Sequence, residues 1–200
     1  PAIAPHAPYT VSQEHLLATR DLSNSLSTPL AIHLAEANTE TASVQHKHKG
    51  MRPIEFVESI GFLTDRTIAA HVIQANDSEL DILKRRGVGI AHNPQSNMKL
   101  AAGVAPVPSM LRKDISVGLG TDGAASNNDV SMWEEMDTAA KLHKLYSGDQ
   151  KVLPAEQAFE MATIRGARAL HLDKITGSIE TGKRADIAIV DLDSLNQVPY

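Results

Sequence analysis

Short apolar runs alternate with longer amphipathic stretches along this chain of 200 residues. Such alternation predicts successive βα units and therefore a parallel sheet in an α/β fold. Each predicted strand ends at or near a polar residue that can take part in chemistry. The predicted strands cover residues 1–6 (PAIAPH), 29–36 (PLAIHLAE), 66–73 (RTIAAHVI), 87–94 (GVGIAHNP) and 115–122 (ISVGLGTD).

The amphipathic stretches predict a helix after each strand. Ser12 suits the N-cap of the first helix, Asp77 or Ser78 opens the third, and Pro154 suits the first turn of the last. The tail from residue 177, GSIETGKRADIAIVDLD, breaks this rhythm, and a strand over residues 186–190 predicts a small β element outside the sheet. The predicted helices cover residues 12–26, 52–60, 78–86, 106–112, 130–145 and 154–170.

Composition narrows the class of protein. A hydrophobic content of 42% predicts a substantial core, while a net charge of −5 disfavours nucleic acid as a partner because phosphate contacts need clustered Lys and Arg. No run approaches the roughly 20 apolar residues of a membrane span, and no export signal is evident, so a cytoplasmic protein is expected. The chain starts at Pro1 within a predicted strand and stops soon after another, so we expect it to be part of a longer protein.

Four histidines and one aspartate stand at the carboxyl ends of the predicted strands. In a βα barrel the catalytic side chains converge at this edge, so we expect these residues to lie close together. The chain has no cysteine, so a metal would be held by His and carboxylate groups, which suit zinc or a similar divalent ion. The residues are His6, His33, His71, His92 and Asp122.

Other polar residues near these strand ends carry less information. Glu36 follows His33 by three residues and is a second proton-handling group beside a candidate ligand. The run HNPQSN at 92–97 is interpreted as an ordinary turn in which Pro94 ends the strand. Four further histidines are expected to be solvated or packing side chains; they are His46, His48, His143 and His171.

Several of these segments together resemble the amidohydrolase superfamily, and within it the 5'-methylthioadenosine/S-adenosylhomocysteine deaminases and their s-triazine hydrolase relatives. The resemblance covers essentially the whole chain and is specific as a set. It implies an α/β fold that forms the C-terminal part of a metal-dependent (β/α)8 TIM barrel, strands four to eight, over residues 1–176. Residues 177–200 would then start a small β-sandwich. The matching segments are residues 4–10, 32–36, 67–73, 92–107, 118–129, 162–170 and 177–192.

The same resemblance implies roles for individual residues in hydrolytic deamination. His33 would be a zinc ligand, and Asp122 would be both a ligand and the base that accepts a proton from the attacking water. His71 would hold the hydroxide or the developing tetrahedral centre. Glu36 would bring a proton to the purine ring, where attack on C6 pushes charge onto a ring nitrogen.

The substrate implied by the resemblance is a purine nucleoside such as 5'-methylthioadenosine or S-adenosylhomocysteine. His6 and Ser126 would contact it, together with Glu36 and Asp122. The metal would be Zn²⁺ or another divalent ion such as Fe²⁺ or Mn²⁺, and a homo-oligomer is a further expectation.

One departure from the family pattern is large. The family carries a His-x-His pair at the end of its first barrel strand, and this chain has no such strand. His46 and His48 have that spacing but lie in a polar run, QHKHKG, so we interpret the pair as a coincidence. Two alternatives stay open: another ring hydrolase acting on s-triazines or guanine, or a barrel of this family without catalysis.

Overall fold

A computed structural model of the chain describes residues 1–191. Its centre is a sheet of four parallel strands in the order β1-β2-β3-β4, so each strand pairs only with its neighbours along the chain. This is the arrangement that successive βα units produce. The strands are β1 (Leu30–Leu34), β2 (Thr67–His71), β3 (Gly89–His92) and β4 (Val117–Leu119).

Ten helices flank or follow these strands in the described part of the chain. Six predicted helical regions are confirmed, with the last divided in two. The helices are α1 (Gln13–Leu26), α2 (Asn38–Lys47), α3 (Pro53–Ser59), α4 (Asp77–Arg86), α5 (Pro94–Lys99), α6 (Val107–Arg112), α7 (Ala124–Asn127), α8 (Met132–Ser147), α9 (Ala155–Ala162) and α10 (Ile164–Ala169).

The first predicted strand is reduced to a single bridge. Ile3 pairs with Leu30 in parallel, and the His33 N–H donates to the His6 carbonyl at 3.1 Å, so residues 1–6 run beside β1. Pro1 and Pro5 break the ladder because proline has no N–H that a neighbouring strand could use. The segment therefore keeps its predicted place but not a regular strand.

Two helix starts have side-chain caps, of which the sequence predicted the first. The Ser12 hydroxyl accepts the His15 N–H at 3.3 Å at the start of α1. α4 begins at Asp77, as predicted, and Asn76 caps it by accepting the Glu79 N–H at 2.9 Å. These bonds satisfy N–H groups that have no partner within the first turn of a helix.

Helix α10 packs unusually close to the sheet. A Cβ added to Gly118 in β4 would lie 2.7 Å from the Cα of Gly166 in α10, and one added to Gly89 in β3 would lie 1.8 Å from the Ala169 carbonyl oxygen. No side chain fits between these backbones, so glycine is required at both strand positions. The core around this contact is formed by the apolar sides of the sheet and of the helices that cover it.

The tail differs from the prediction. Residues 186–190, predicted as a strand, form none here, and Ile189 is 98% exposed. A strand needs a partner for its backbone hydrogen bonds, and this segment pairs with no strand among residues 1–191. The assignment of 177–200 to a β-sandwich stays a prediction, and its last part, 192–200, lies outside the described residues.

None of the helices described is both long enough and apolar enough to span a membrane.

Candidate metal centre and active site

Three of the predicted site residues converge at the carboxyl edge of the sheet. Nitrogen atoms of His33 and His71 and a carboxylate oxygen of Asp122 all lie within 4.8 Å of one another. The two imidazole rings are stacked, with centroids 5.6 Å apart and planes at 20°. His33 lies within β1, His71 ends β2, and Asp122 follows β4 by three residues. This group of two imidazoles and one carboxylate matches the ligand types of zinc sites that lack cysteine.

The backbone at His71 brings its ring to this site. In the strand register His71 pairs with the buried Leu34, whereas His33 pairs with Ala70. Alternate residues of a strand point to opposite faces, so a regular strand would direct His71 away from His33. His71 instead has φ of 71°, followed by 49° at Val72, and its ring lies against His33. This left-handed conformation costs about 1–3 kcal/mol per residue and persists because the surrounding structure fixes it.

His33 is oriented by the segment that precedes β1. Its Nδ1 lies 2.7 Å from the carbonyl oxygen of His6, which can only accept, so Nδ1 carries the proton. The Nε2 lone pair is then free to bind a metal, as in metal sites where a carbonyl fixes the tautomer of the ligand. The His6 ring lies 5.1 Å from the His33 ring, and its Nδ1 contacts the Thr10 hydroxyl at 2.7 Å. The structure therefore places His6 beside the metal-ligand group.

The Asp122 carboxylate accepts three hydrogen bonds. Its Oδ2 accepts from the hydroxyls of Ser96 at 2.6 Å and Ser126 at 2.8 Å, and its Oδ1 accepts the Gly123 N–H at 2.8 Å. Partial burial acts to raise the pKa of Asp122, but these donors outweigh burial and leave the pKa below its ordinary value. Asp122 is thus held as a carboxylate. Its φ of 61° turns the chain sharply away from the sheet at this point.

Glu36 lies at the mouth of the same site. One of its carboxylate oxygens is 3.9 Å from His71 Nε2, and its side chain is 24% exposed. The turn that carries it is held by the buried Glu40, whose carboxylate accepts the N–H groups of Ala35 at 2.9 Å and Glu36 at 2.7 Å. Burial raises the pKa of Glu40, although these N–H groups oppose the effect. A cavity of about 190 Å³ adjoins the turn and is lined by Tyr9, Glu36, Ala37, Thr39 and Glu40.

His92 does not join the metal-ligand group, although it was expected to converge with it. Its side chain is fully buried, and its Nε2 lies 3.1 Å from Nε2 of His143 in α8. Burial is the main cause that holds the pKa of His92 well below its ordinary value, and the electrostatic effects of His143 and His71 act in the same direction. Burial likewise lowers the pKa of His143 to about 4. The pair therefore packs as neutral rings between β3 and α8.

The remaining histidines agree with the expected solvated or packing roles. His46 is exposed near the end of α2, and the His48 ring stacks on Phe56 with centroids 3.7 Å apart. The His171 Nε2 lies 3.3 Å from the Thr67 carbonyl, to which it donates. In the part of the chain that the structure describes, none of these belongs to a metal-ligand group.

Two residues of the site were missed because the run 92–97 was interpreted as a turn. The structure shows that Pro94 begins α5 instead, and proline is well suited to a first helical position. Ser96 and Asn97 in this helix are buried and contact Asp122 and His71, respectively. The available signal was the cluster of polar residues directly after a predicted strand.

Comparison with known proteins identifies the family of the chain. The amidohydrolase family matches residues 1–200. A 5-methylthioadenosine/S-adenosylhomocysteine deaminase of Nitratidesulfovibrio vulgaris is 47% identical over 98% of this chain and 44% of its own length. A crystal structure of an adenosine deaminase from Xanthomonas campestris with bound zinc superposes with a TM-score of 0.94 at 40% identity, covering 98% of this chain and 44% of that one.

A second solved structure widens the range of chemistry among similar proteins. An atrazine chlorohydrolase from Arthrobacter aurescens, complexed with zinc, has a TM-score of 0.92 at 28% identity and covers 98% of this chain and 43% of that one. The chain thus spans less than half the length of these relatives. The family match, the identity and the shared parallel sheet together show that the chain belongs to the amidohydrolase family and has the fold of part of its barrel.

Proposed function

We propose that the protein carrying this chain is a zinc-dependent deaminase of adenine nucleosides such as 5'-methylthioadenosine or S-adenosylhomocysteine. The observation that carries the proposal is the convergence of His33, His71 and Asp122 within 4.8 Å, with the Glu36 carboxylate 3.9 Å from His71. The similar proteins named as adenosine and methylthioadenosine deaminases support this substrate class.

The residues present fit a divalent ion. His33 has its Nδ1 proton committed to the His6 carbonyl, which leaves Nε2 as a ligand, and Asp122 is held ionised by its three donors. These two residues would hold the ion, with His71 beside it. The ligand types suit Zn²⁺ and also Fe²⁺ or Mn²⁺, whose selection depends on geometry and availability. When bound, zinc lowers the pKa of water to about 7 and so supplies a hydroxide nucleophile at neutral pH.

The acid and base steps fall to residues of this chain. Water adds to C6 of the adenine ring, and ammonia leaves from the same carbon. Asp122 accepts the proton that the water loses and passes it to the departing amine, while Glu36 donates a proton to the ring nitrogen that gains charge. His71 positions the oxygen that attacks. We propose His6 and Ser126 as further contacts to the nucleoside, because both adjoin the metal-ligand group.

Ser126 can serve both as a hydrogen-bond donor to Asp122 and as a contact to the substrate. Its hydroxyl lies 2.8 Å from Asp122 Oδ2 and 3.1 Å from the Gly123 carbonyl, so its single proton serves one of them at a time. The oxygen of this hydroxyl keeps lone pairs, so Ser126 can accept a hydrogen bond from the substrate while it donates to Asp122.

We extend the proposal to a protein that acts in the cytoplasm and associates with copies of itself.

An assay of ammonia release tests the proposed reaction. The zinc-loaded protein would be incubated with 5'-methylthioadenosine, S-adenosylhomocysteine, guanine and an s-triazine in parallel. Deamination of the adenine nucleosides is expected, and Glu36→Gln is expected to lower kcat by about 100-fold or more because the ring nitrogen loses its acid. Turnover of guanine or the triazine alone would replace the proposed substrate. A protein that stays free of metal after zinc is supplied would favour a barrel without catalysis.

A further inference from the structure

Helix α5 contacts both sides of the metal-ligand group through two neighbouring side chains. Asn97 Oδ1 lies 2.8 Å from His71 Nδ1, and the Ser96 hydroxyl lies 2.6 Å from Asp122 Oδ2. Both side chains are buried, at 1% and 0% exposure. We propose that Ser96 and Asn97 are positioning residues, with Asn97 fixing the tautomer of His71 and Ser96 fixing the carboxylate of Asp122. The significance of these groups for deamination rests on the proposed function.

The contact of Asn97 determines which nitrogen of His71 carries the proton. An amide oxygen can only accept, so His71 Nδ1 donates and its Nε2 keeps a lone pair. That Nε2 is the atom that lies 3.9 Å from Glu36. The opposite tautomer would present an N–H there in place of a lone pair, and His71 could no longer accept a hydrogen bond from the attacking water.

A second asparagine competes weakly for the same nitrogen. Asn93 Nδ2 lies 3.5 Å from His71 Nδ1, as a donor would. His71 Nδ1 cannot both donate to Asn97 and accept from Asn93. The bond to Asn97 is shorter by 0.7 Å (3.5 less 2.8) and lies in the normal hydrogen-bond range, so Asn97 determines the tautomer.

Asn97 is a poor residue for packing alone. Its Nδ2 is buried and has no hydrogen-bond partner among the described residues. A buried polar group without a partner destabilises a fold, and a leucine of similar size would fill the same space without this penalty. The hydrogen bond to His71 is the interaction that accounts for an amide at this position.

The helix that carries these two residues is itself fixed. The Gln95 N–H at its start donates to the buried Glu135 of α8 at 3.2 Å, and Glu135 also accepts from the Asn127 side chain of α7 at 2.5 Å. At its other end, the Lys99 ammonium donates to the Ala125 carbonyl at 2.9 Å. Helix α5 is therefore tied to the turn that follows Asp122. A fixed helix can hold its side chains in one orientation, as positioning requires.

The tautomer of His71 can be measured directly by NMR on protein labelled with ¹⁵N-histidine. His71→Ala identifies the signal. In the unaltered protein we expect the proton on Nδ1. Asn97→Ala is expected to produce a mixture with Nε2–H, whereas the matched truncation Asn93→Ala and the isosteric Asn97→Asp should keep Nδ1–H. The proposal is overturned if Asn97→Ala leaves the tautomer unchanged, or if Asn93→Ala changes it as much.

The role of Ser96 is tested by zinc titration. Ser96→Ala is expected to weaken zinc binding by about 10- to 100-fold, the usual effect of removing a partner that orients a ligand. Ser23→Ala is a matched control, because Ser23 in α1 is also buried and its hydroxyl donates to the carbonyl of Thr28, beyond the end of that helix, at 2.6 Å. Equal zinc affinity in both variants would reject the role of Ser96. Absence of deaminase activity alongside the expected tautomer and zinc results would reject the proposed function only.

Discussion

The buried carboxylate of Glu40 accepts the backbone N–H of Glu36 at 2.7 Å, and so one glutamate holds the turn that presents another. Glu36 lies in the loop after β1, and Glu40 lies in the first turn of α2. The Glu36 carboxylate is the one that approaches His71, at 3.9 Å. Ala35, which precedes Glu36, has φ of 52° and donates to the same carboxylate. The position of the proposed proton donor is therefore set by a buried carboxylate that holds two backbone N–H groups of the same turn.

Replacing Glu40 by glutamine is expected to destabilise the fold. The amide keeps one oxygen but turns an NH₂ group towards a backbone N–H, which leaves a buried donor unsatisfied at a cost of about 1–3 kcal/mol. Urea unfolding would measure the loss in the free energy of unfolding. Glu14→Gln, at an exposed position in α1, is the control and should change stability far less. Equal effects in the two variants would show that the Glu40 bonds contribute little.

Zinc is expected to stabilise the folded protein through the metal-ligand group. A ligand present at about 100 times its Kd adds about 2.7 kcal/mol to the free energy of unfolding, which thermal unfolding detects as a higher Tm. His33→Ala should lose most of this increase. His46→Ala should retain it, because His46 is exposed near the end of α2. A loss in His46→Ala instead would show that the His46–His48 pair binds the ion.

The pair of His92 and His143 predicts a loss of stability in acid. Unfolded His143 takes up a proton below about pH 6.5, whereas burial delays this to about pH 4 in the folded protein. Unfolding is therefore favoured as the pH falls through this window, by about 3 kcal/mol in total. The difference in stability between the unaltered protein and His143→Gln should shrink by this amount. A difference that stays constant with pH would contradict the prediction, and His46→Gln provides an exposed control.

The contact between Gly118 and Gly166 predicts a strong effect of one methyl group. Gly118→Ala would place its Cβ 2.7 Å from the Gly166 Cα, which is backbone and cannot move aside easily. We expect a loss of about 1–3 kcal/mol from overpacking, measured by chemical unfolding. Gly123→Ala should be almost neutral, because nothing lies within 4 Å of its added Cβ and its φ is −72°. A neutral Gly118→Ala would show that α10 can shift away from the sheet.

The order of strands and the residues at their ends could be predicted because apolar runs report buried parallel strands directly. Helix α2 was missed because its buried side chains include Glu40 and Thr41, so its inner face has little apolar periodicity. The break between α9 and α10 at Thr163, with φ of −126° and ψ of −104°, also leaves no breaker residue in the sequence. These features depend on tertiary contacts, which local patterns do not contain.

The contribution of α5 could not be predicted for a related reason. The sequence showed polar groups after a strand, but a turn and a six-residue helix place such groups differently. Only the folded arrangement shows that Ser96 reaches Asp122 of a different βα unit. His92 was wrongly expected to lie with the other strand-end residues, because a side chain near a strand end can point towards the site or into the helix layer.

The left-handed backbone at His71 has a consequence for protein design. Grafting His33, His71 and Asp122 onto an idealised parallel sheet would reproduce the residue types but not the site, since an extended residue at the second position points to the opposite layer. A designer would have to transplant the torsion along with the side chain, together with the loop that enforces it. The geometry of this site therefore depends partly on backbone conformation, which a list of its side chains does not show.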